Sequence, residues 1–142
     1  MSEARPISIG TIDHVVLRVT DLDRMRAFYC DILGCRVEKH QAELGLLQLR
    51  AGASLIDLVD VAGRLGRMGG RAAGIEGRNM DHFCLRLDRF DGPAIQRYLS
   101  DRGIDPGEIV QRYGAAGTGP SLYIEDPEGN TVELKAPPGT AG

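Results

Sequence analysis

Two histidines in this 142-residue chain sit in matching surroundings. His14 lies in Asp13-His14-Val15-Val16-Leu17-Arg18-Val19, and His82 in Asp81-His82-Phe83-Cys84-Leu85-Arg86-Leu87. Further along, each is followed by a carboxylate inside an apolar stretch: Asp57 in Leu55-Ile56-Asp57-Leu58-Val59, and Glu133 in Thr131-Val132-Glu133-Leu134. Two imidazoles and two carboxylates suit one divalent ion of nickel, zinc, cobalt, manganese or iron, with positions left over for substrate oxygens. A lone strand histidine is ordinarily structural. Repetition raises His14, Asp57, His82 and Glu133 to candidate metal ligands, because an internal duplication sets equivalent residues at equivalent places.

Strand alternation sorts the neighbours of these residues. His14, Val16 and Arg18 share one face, and Val15, Leu17 and Val19 the other; His82, Cys84 and Arg86 are set against Phe83, Leu85 and Leu87 in the same way. The apolar side of each strand is expected to pack under a helix, which leaves the polar side to a cavity, a partner chain or water. Glu133 has Thr131 and Lys135 on its face and is backed by Val132 and Leu134. Asp57 shares its face with Leu55 and Val59, where an isolated charge is costly and a bound cation is one remedy. Arg18 and Arg86 are candidates for holding a substrate carboxylate, although strand-face pairing is the commoner use of such arginines. Tyr123 and Tyr113 are candidates to line a pocket. His40, beside Glu38 and Lys39, is expected to face solvent.

The elements that must position these groups follow from periodicity. Residues 12–19 alternate as a strand. Thr20 or Asp21 then caps a helix carrying Leu22, Met25, Phe28, Tyr29 and Ile32, which Gly34 ends. Strands follow at 35–40, 44–50 and 54–61. The second half repeats the order, with a strand at 80–87, a helix opened by Asp91-Gly92-Pro93, a strand at 109–113, a loop at 114–119 and a strand at 121–125. The tight turn Asp126-Pro127-Glu128-Gly129-Asn130 leads to the closing strand at 131–135. The fold class is therefore α+β, with two βαβββ modules at 10–62 and 80–137 forming one domain. Residues 63–79 make a Gly/Arg-rich linker between them. Its arginines have no interleaved aromatics, so a solubilised connector is preferred to an RNA platform.

Bulk properties narrow the remaining classes. With 42% hydrophobic and 26% charged residues the composition is that of an ordinary globular protein, and a net charge of −3 gives no reason to expect nucleic acid or membrane as partner. Residues 1–6 lack the apolar core of a signal peptide and no run reaches membrane-spanning length, so a cytoplasmic location is expected. The three cysteines, Cys30, Cys35 and Cys84, form no CxxC and are read as reduced thiols.

Taken together, Ile12-Asp13-His14-Val15-Val16-Leu17-Arg18-Val19, Asp21-Leu22 through Phe28-Tyr29, Leu33-Gly34, Asp81-His82 and Ser121 to Asn130 leading into Glu133-Leu134 resemble the vicinal oxygen chelate superfamily. Its members include glyoxalases, fosfomycin-resistance proteins and extradiol dioxygenases. The resemblance implies a curved mixed sheet around a metal-binding cleft, with His14, Asp57, His82 and Glu133 as ligands, and a homodimer whose sites are built within one chain or across two. The position of Asp57 is commonly glutamate in glyoxalase I relatives, and aspartate reaches less far. The favoured activity is that of a glyoxalase-like lyase or isomerase on a small vicinal-oxygen substrate, such as a thiol conjugate, with Glu133 as proton shuttle. Arg18 matches a position that contacts the glutathione carboxylate in glyoxalases. Fosfomycin transferases typically carry a threonine where this chain has Val16. A ferrous extradiol-type dioxygenase is the alternative, but it needs a further acid/base histidine, and only His40 is spare. A non-catalytic drug-binding protein of bleomycin-resistance type is the other alternative, though such members usually lack the ligands.

Overall fold

The computed structural model describes residues 5–141 of the chain. In order, the elements are β1 (His14–Val19), α1 (Leu22–Ala27), β2 (Arg36–Gln41), β3 (Leu46–Ala51), β4 (Ser54–Asp60), β5 (Phe83–Arg86), α2 (Gly92–Ser100), β6 (Val110–Gly114), β7 (Gly117–Glu125) and β8 (Thr131–Lys135). They form two four-stranded mixed sheets, ordered β1-β4-β3-β2 and β5-β8-β7-β6. In each, the first and last strands of the module run parallel while the other pairings are antiparallel. The duplication read from the motifs thus holds at the level of topology. Among the described residues no helix is long and apolar enough to cross a membrane.

Local chemistry explains the element boundaries. Asp21 is the residue that caps α1, its carboxylate accepting from the Arg24 amide at 3.0 Å. After Ala27 the helix widens over Phe28–Ile32, where the Leu33 amide reaches the Phe28 carbonyl and the Cys35 amide reaches that of Tyr29. Widening lets the adjacent Phe28 and Tyr29 both turn inward, and both are buried. Gly34 then leaves the helix with a φ of 85°, a conformation open to glycine at little cost. Asp91 caps α2 in the same way as Asp21 caps α1, accepting from the Ala94 amide.

Two expectations are corrected. β5 starts at Phe83 rather than residue 80, so His82 stands just ahead of the strand. Residues 114–119 are not a loop but the end of a hairpin, with Tyr113 opposite Thr118 and Gly114 opposite Gly117. Gly117 supplies the positive φ, 101°, that so short a reversal needs. Gly119 lies in the paired strand opposite Arg112, and its carbonyl accepts from the Lys135 ammonium at 3.2 Å.

The apolar faces of both sheets enter one core. Leu17, Val19, Leu49, Ile56 and Leu58 of the first sheet belong with Leu122, Ile124, Val132 and Leu134 of the second, and Met25, Tyr29 and Leu99 join them from the helical segments. A polar joint fastens the two halves beside this core. The buried Tyr29 hydroxyl donates to Asp126 Oδ2 at 2.7 Å, and Asp126 also accepts from the amides of Glu128 and Asn130 and from the Asn130 side chain. Glu128 reaches back to accept from the amides of Thr20 and Asp21. Burial first, then the Asp126 charge, raises the Tyr29 pKa, which favours the protonated phenol that donates to Asp126.

Removing the Asp126 carboxylate strands several donors at once. Asp126→Ala is expected to cost about 3 kcal/mol and Tyr29→Phe roughly half of that, read as lowered urea midpoints at unchanged m-value.

Candidate metal centre in two half-sites

β1 and β4 lie side by side, with Val16 opposite Asp57 and His14 opposite Leu55. Because Leu17, Val19, Ile56 and Leu58 turn into the core, His14 and Asp57 stand on the opposite face of the sheet. Asp57 is only 3% exposed, although it is ionisable. Gln48, its register partner on β3, donates to Oδ2 at 3.2 Å, whereas Oδ1 is buried with no partner. A buried carboxylate oxygen without a donor is a costly vacancy in the hydrogen-bond scheme, and a cation satisfies it. His14 is exposed, and its Nδ1 meets Asp13 at 2.7 Å. That hydrogen bond raises the His14 pKa against desolvation, and the Asp57 charge adds to the rise.

The second module repeats the scheme more tightly. His82 Nδ1 meets Asp81 at 2.7 Å, leaving Nε2 3.2 Å from Glu133 Oε1. Glu133 is buried on β8, between Cys84 of β5 and Tyr123 of β7. The Tyr123 ring meets the His82 ring edge-on with centroids 5.2 Å apart, and the Arg112 guanidinium covers Tyr123 at 4.2 Å. Arg112 is itself held by the Ser121 carbonyl and hydroxyl. In both half-sites an aspartate just before the histidine occupies Nδ1, which is how metal-binding imidazoles are oriented so that Nε2 is presented.

His82 and Glu133 come within 3.2 Å of each other and His14 and Asp57 share one sheet face, but the two pairs do not converge. Each faces away from the apolar core that the sheets share, and among the described residues no three histidine, cysteine, aspartate or glutamate side chains converge on one point. The metal-binding cleft anticipated from the sequence is not closed by these residues within one chain. The donor sets still fit a divalent ion chemically, as two N/O pairs whose outer hydrogen bonds are already made.

The other residues singled out fall in different places. The Arg18 guanidinium is taken up by the carbonyls of Gly66, Gly70 and Arg71 and lies against Gly69, where a Cβ would come within 2.5 Å of Nε. It therefore fastens the linker to β1. Arg86 is exposed beside Lys135, Tyr123 stacks on His82, and Tyr113 is 85% exposed. The Cys84 thiol is pushed up to about 11 by burial and by Glu133, against opposing effects of Lys135 and Arg86. Sequence reasoning gave no role to Gln48, Arg112 or Lys135. Gln48 had a signal: it is the one polar residue in Leu46-Leu47-Gln48-Leu49.

This arrangement of paired modules is that of a known class. Residues 11–134 match the Glyoxalase/Bleomycin resistance protein/Dioxygenase superfamily, and the chain belongs to it. It is 32% identical over 131 residues to biphenyl-2,3-diol 1,2-dioxygenase 2 of Rhodococcus globerulus, an alignment covering 86% of this chain and 60% of that enzyme. The chain thus spans well under two thirds of that relative. It is 25% identical to human mitochondrial methylmalonyl-CoA epimerase, over 90% of this chain and 74% of the epimerase. A crystal structure of a virulence protein from Salmonella typhimurium superposes with a TM-score of 0.74 at 27% identity, covering 92% of this chain and 98% of that one.

Since Arg18 holds the linker rather than standing free, Arg18→Met is expected to loosen residues 64–78. Limited trypsin digestion should cut there about tenfold faster than in wild type, with the rest of the fold resisting as before.

Proposed function

We propose that the protein is a metal-dependent lyase or isomerase of glyoxalase type, which moves a proton between neighbouring carbons of a small substrate bearing vicinal oxygens. What carries the proposal is the duplicated arrangement at 2.7 Å: each histidine has Nδ1 engaged by its preceding aspartate and stands near a buried carboxylate, Asp57 or Glu133. His14, Asp57, His82 and Glu133 would hold one divalent ion. When bound, that ion supplies a Lewis acid that polarises substrate oxygens and stabilises developing negative charge. Glu133 removes the proton from the adjacent carbon and returns it to the next, in a pocket where Tyr123 keeps His82 in place. The resemblance to an epimerase supports proton-transfer chemistry, and a thiol conjugate such as a hemithioacetal is the substrate to try first.

Because the two half-sites face outward from one core, the complete site pairs the first module of one protomer with the second module of its partner in a homodimer. Such a geometry makes complementation possible. Mixing His14→Ala with His82→Ala chains gives heterodimers with one intact site, so about a quarter of wild-type metal-dependent activity should return on random re-pairing. No recovery would show that each site is built within one chain.

Purified dimer is expected to hold one divalent ion per protomer, and His82→Ala to lose it, measured by elemental analysis. Glu133→Gln should lower kcat by about 10²- to 10⁴-fold on the hemithioacetal of methylglyoxal and glutathione. The 32% identity to a biphenyl-2,3-diol 1,2-dioxygenase favours one other outcome, a ferrous dioxygenase. Oxygen uptake with catechols, without isomerisation of the hemithioacetal, would replace the present proposal with that one.

A further inference from the structure

Beyond Glu133 the same sheet face carries a set of cations that the proton-transfer chemistry leaves unused. Lys135 follows Glu133 on β8 at a distance of two residues, roughly 7 Å along the strand, and is only 8% exposed. Its ammonium donates to the carbonyls of Arg112 and Gly119. Among the described residues no carboxylate side chain pairs with Lys135 or with Arg86, its register neighbour on β5. The lysine stem crosses Gly114, where a Cβ would come within 2.8 Å of Cε, so the absence of a side chain there makes room for it. Lys135 and Arg86 both line a recess of about 300 Å³ that also contains His82 and Glu133 and is walled by the 113–119 hairpin and Pro137-Pro138.

An ammonium buried to this depth, held by two neutral carbonyls, has one N–H left to give, and Glu133, two residues away in the same recess, is engaged with His82 rather than with Lys135. Resting on the assignment of Glu133 and His82 to the reacting end of the site, we propose that Lys135 and Arg86 form a carboxylate subsite. The substrate is then a vicinal-oxygen compound bearing a carboxylate a few atoms from its reacting oxygens. Arg86 offers a planar fork to that group and Lys135 a point charge beneath it. The subsite sets specificity by rejecting analogues with a neutral tail, which would leave the buried ammonium unanswered.

The test compares two ligands with the same oxygen pair, 3,4-dihydroxybenzoate and 4-methylcatechol, titrated calorimetrically into the metal-reconstituted dimer without oxygen. The charged ligand is expected to bind about tenfold to a hundredfold more tightly, and Lys135→Met and Arg86→Gln should each erase most of that preference. Arg86→Gln lies on an exposed position and keeps the test valid should Lys135→Met fold poorly. Equal affinities, no binding of either ligand, or a preference that survives both substitutions would overturn the subsite. Metal content is measured on every preparation, so a protein that holds no ion refutes the lyase proposal separately, while tail preference is still scored on that protein.

Discussion

The structure turns on the burial of one carboxylate. Asp126 sits at the start of the turn into β8, 4% exposed, and is tolerable there because four donors converge on it. Three of those donors belong to its own turn and fix that turn's shape. The fourth is the Tyr29 hydroxyl from the opposite module, and Glu128 of the same turn answers it by accepting from Thr20 and Asp21. Arg78, at the far end of the linker, adds a bond to Asn130 and another to the Glu128 carbonyl. A single five-residue turn thus joins β8, the start of α1 and the linker. β8 carries Glu133, so the joint also determines where the candidate base stands.

That joint explains the separation of the two half-sites. With Tyr29 tied to Asp126 of the second module, the apolar faces of both sheets meet in the shared core. Parity then leaves no freedom: if Leu17 and Val132 point inward, His14 and Glu133 point outward. Moving either pair toward the other would demand a one-residue register slip, which would carry every apolar side chain of the strand into water. The core and the half-sites are two faces of one alternation.

Much of this was legible in the residues because the relevant forces are local or periodic. The strand parity of His14, the capping by Asp21 and Asp91, and the turn at Asp126 all rest on interactions within a few residues of sequence. What was not legible depends on contacts far apart. The fate of Arg18 required knowing that the linker folds back over β1, and an arginine beside a candidate ligand looks the same whether it meets backbone carbonyls or a substrate. The hairpin at 114–119 reads as a loop in sequence because glycine marks loops as readily as it marks a strand that must pass close beneath a long side chain. Lys135 was seen on the same face as Glu133, but its burial follows from Gly114 and Gly119, which come from other strands.

The two halves have diverged in a way that follows from burial. In the first, Asp57 is short and deep, braced by Gln48, while His14 is open to water. In the second, Glu133 and His82 touch, and Tyr123, Arg112 and Lys135 crowd the same face. Under the proposed function, the longer Glu133 carboxylate beside the His82 imidazole is the one cast as base, whereas the shorter Asp57 is held on one oxygen by Gln48. The asymmetry between the duplicated modules thus lies in side-chain length and packing rather than in the strands that carry them, and it is what the proposed division of labour between Asp57 and Glu133 rests on.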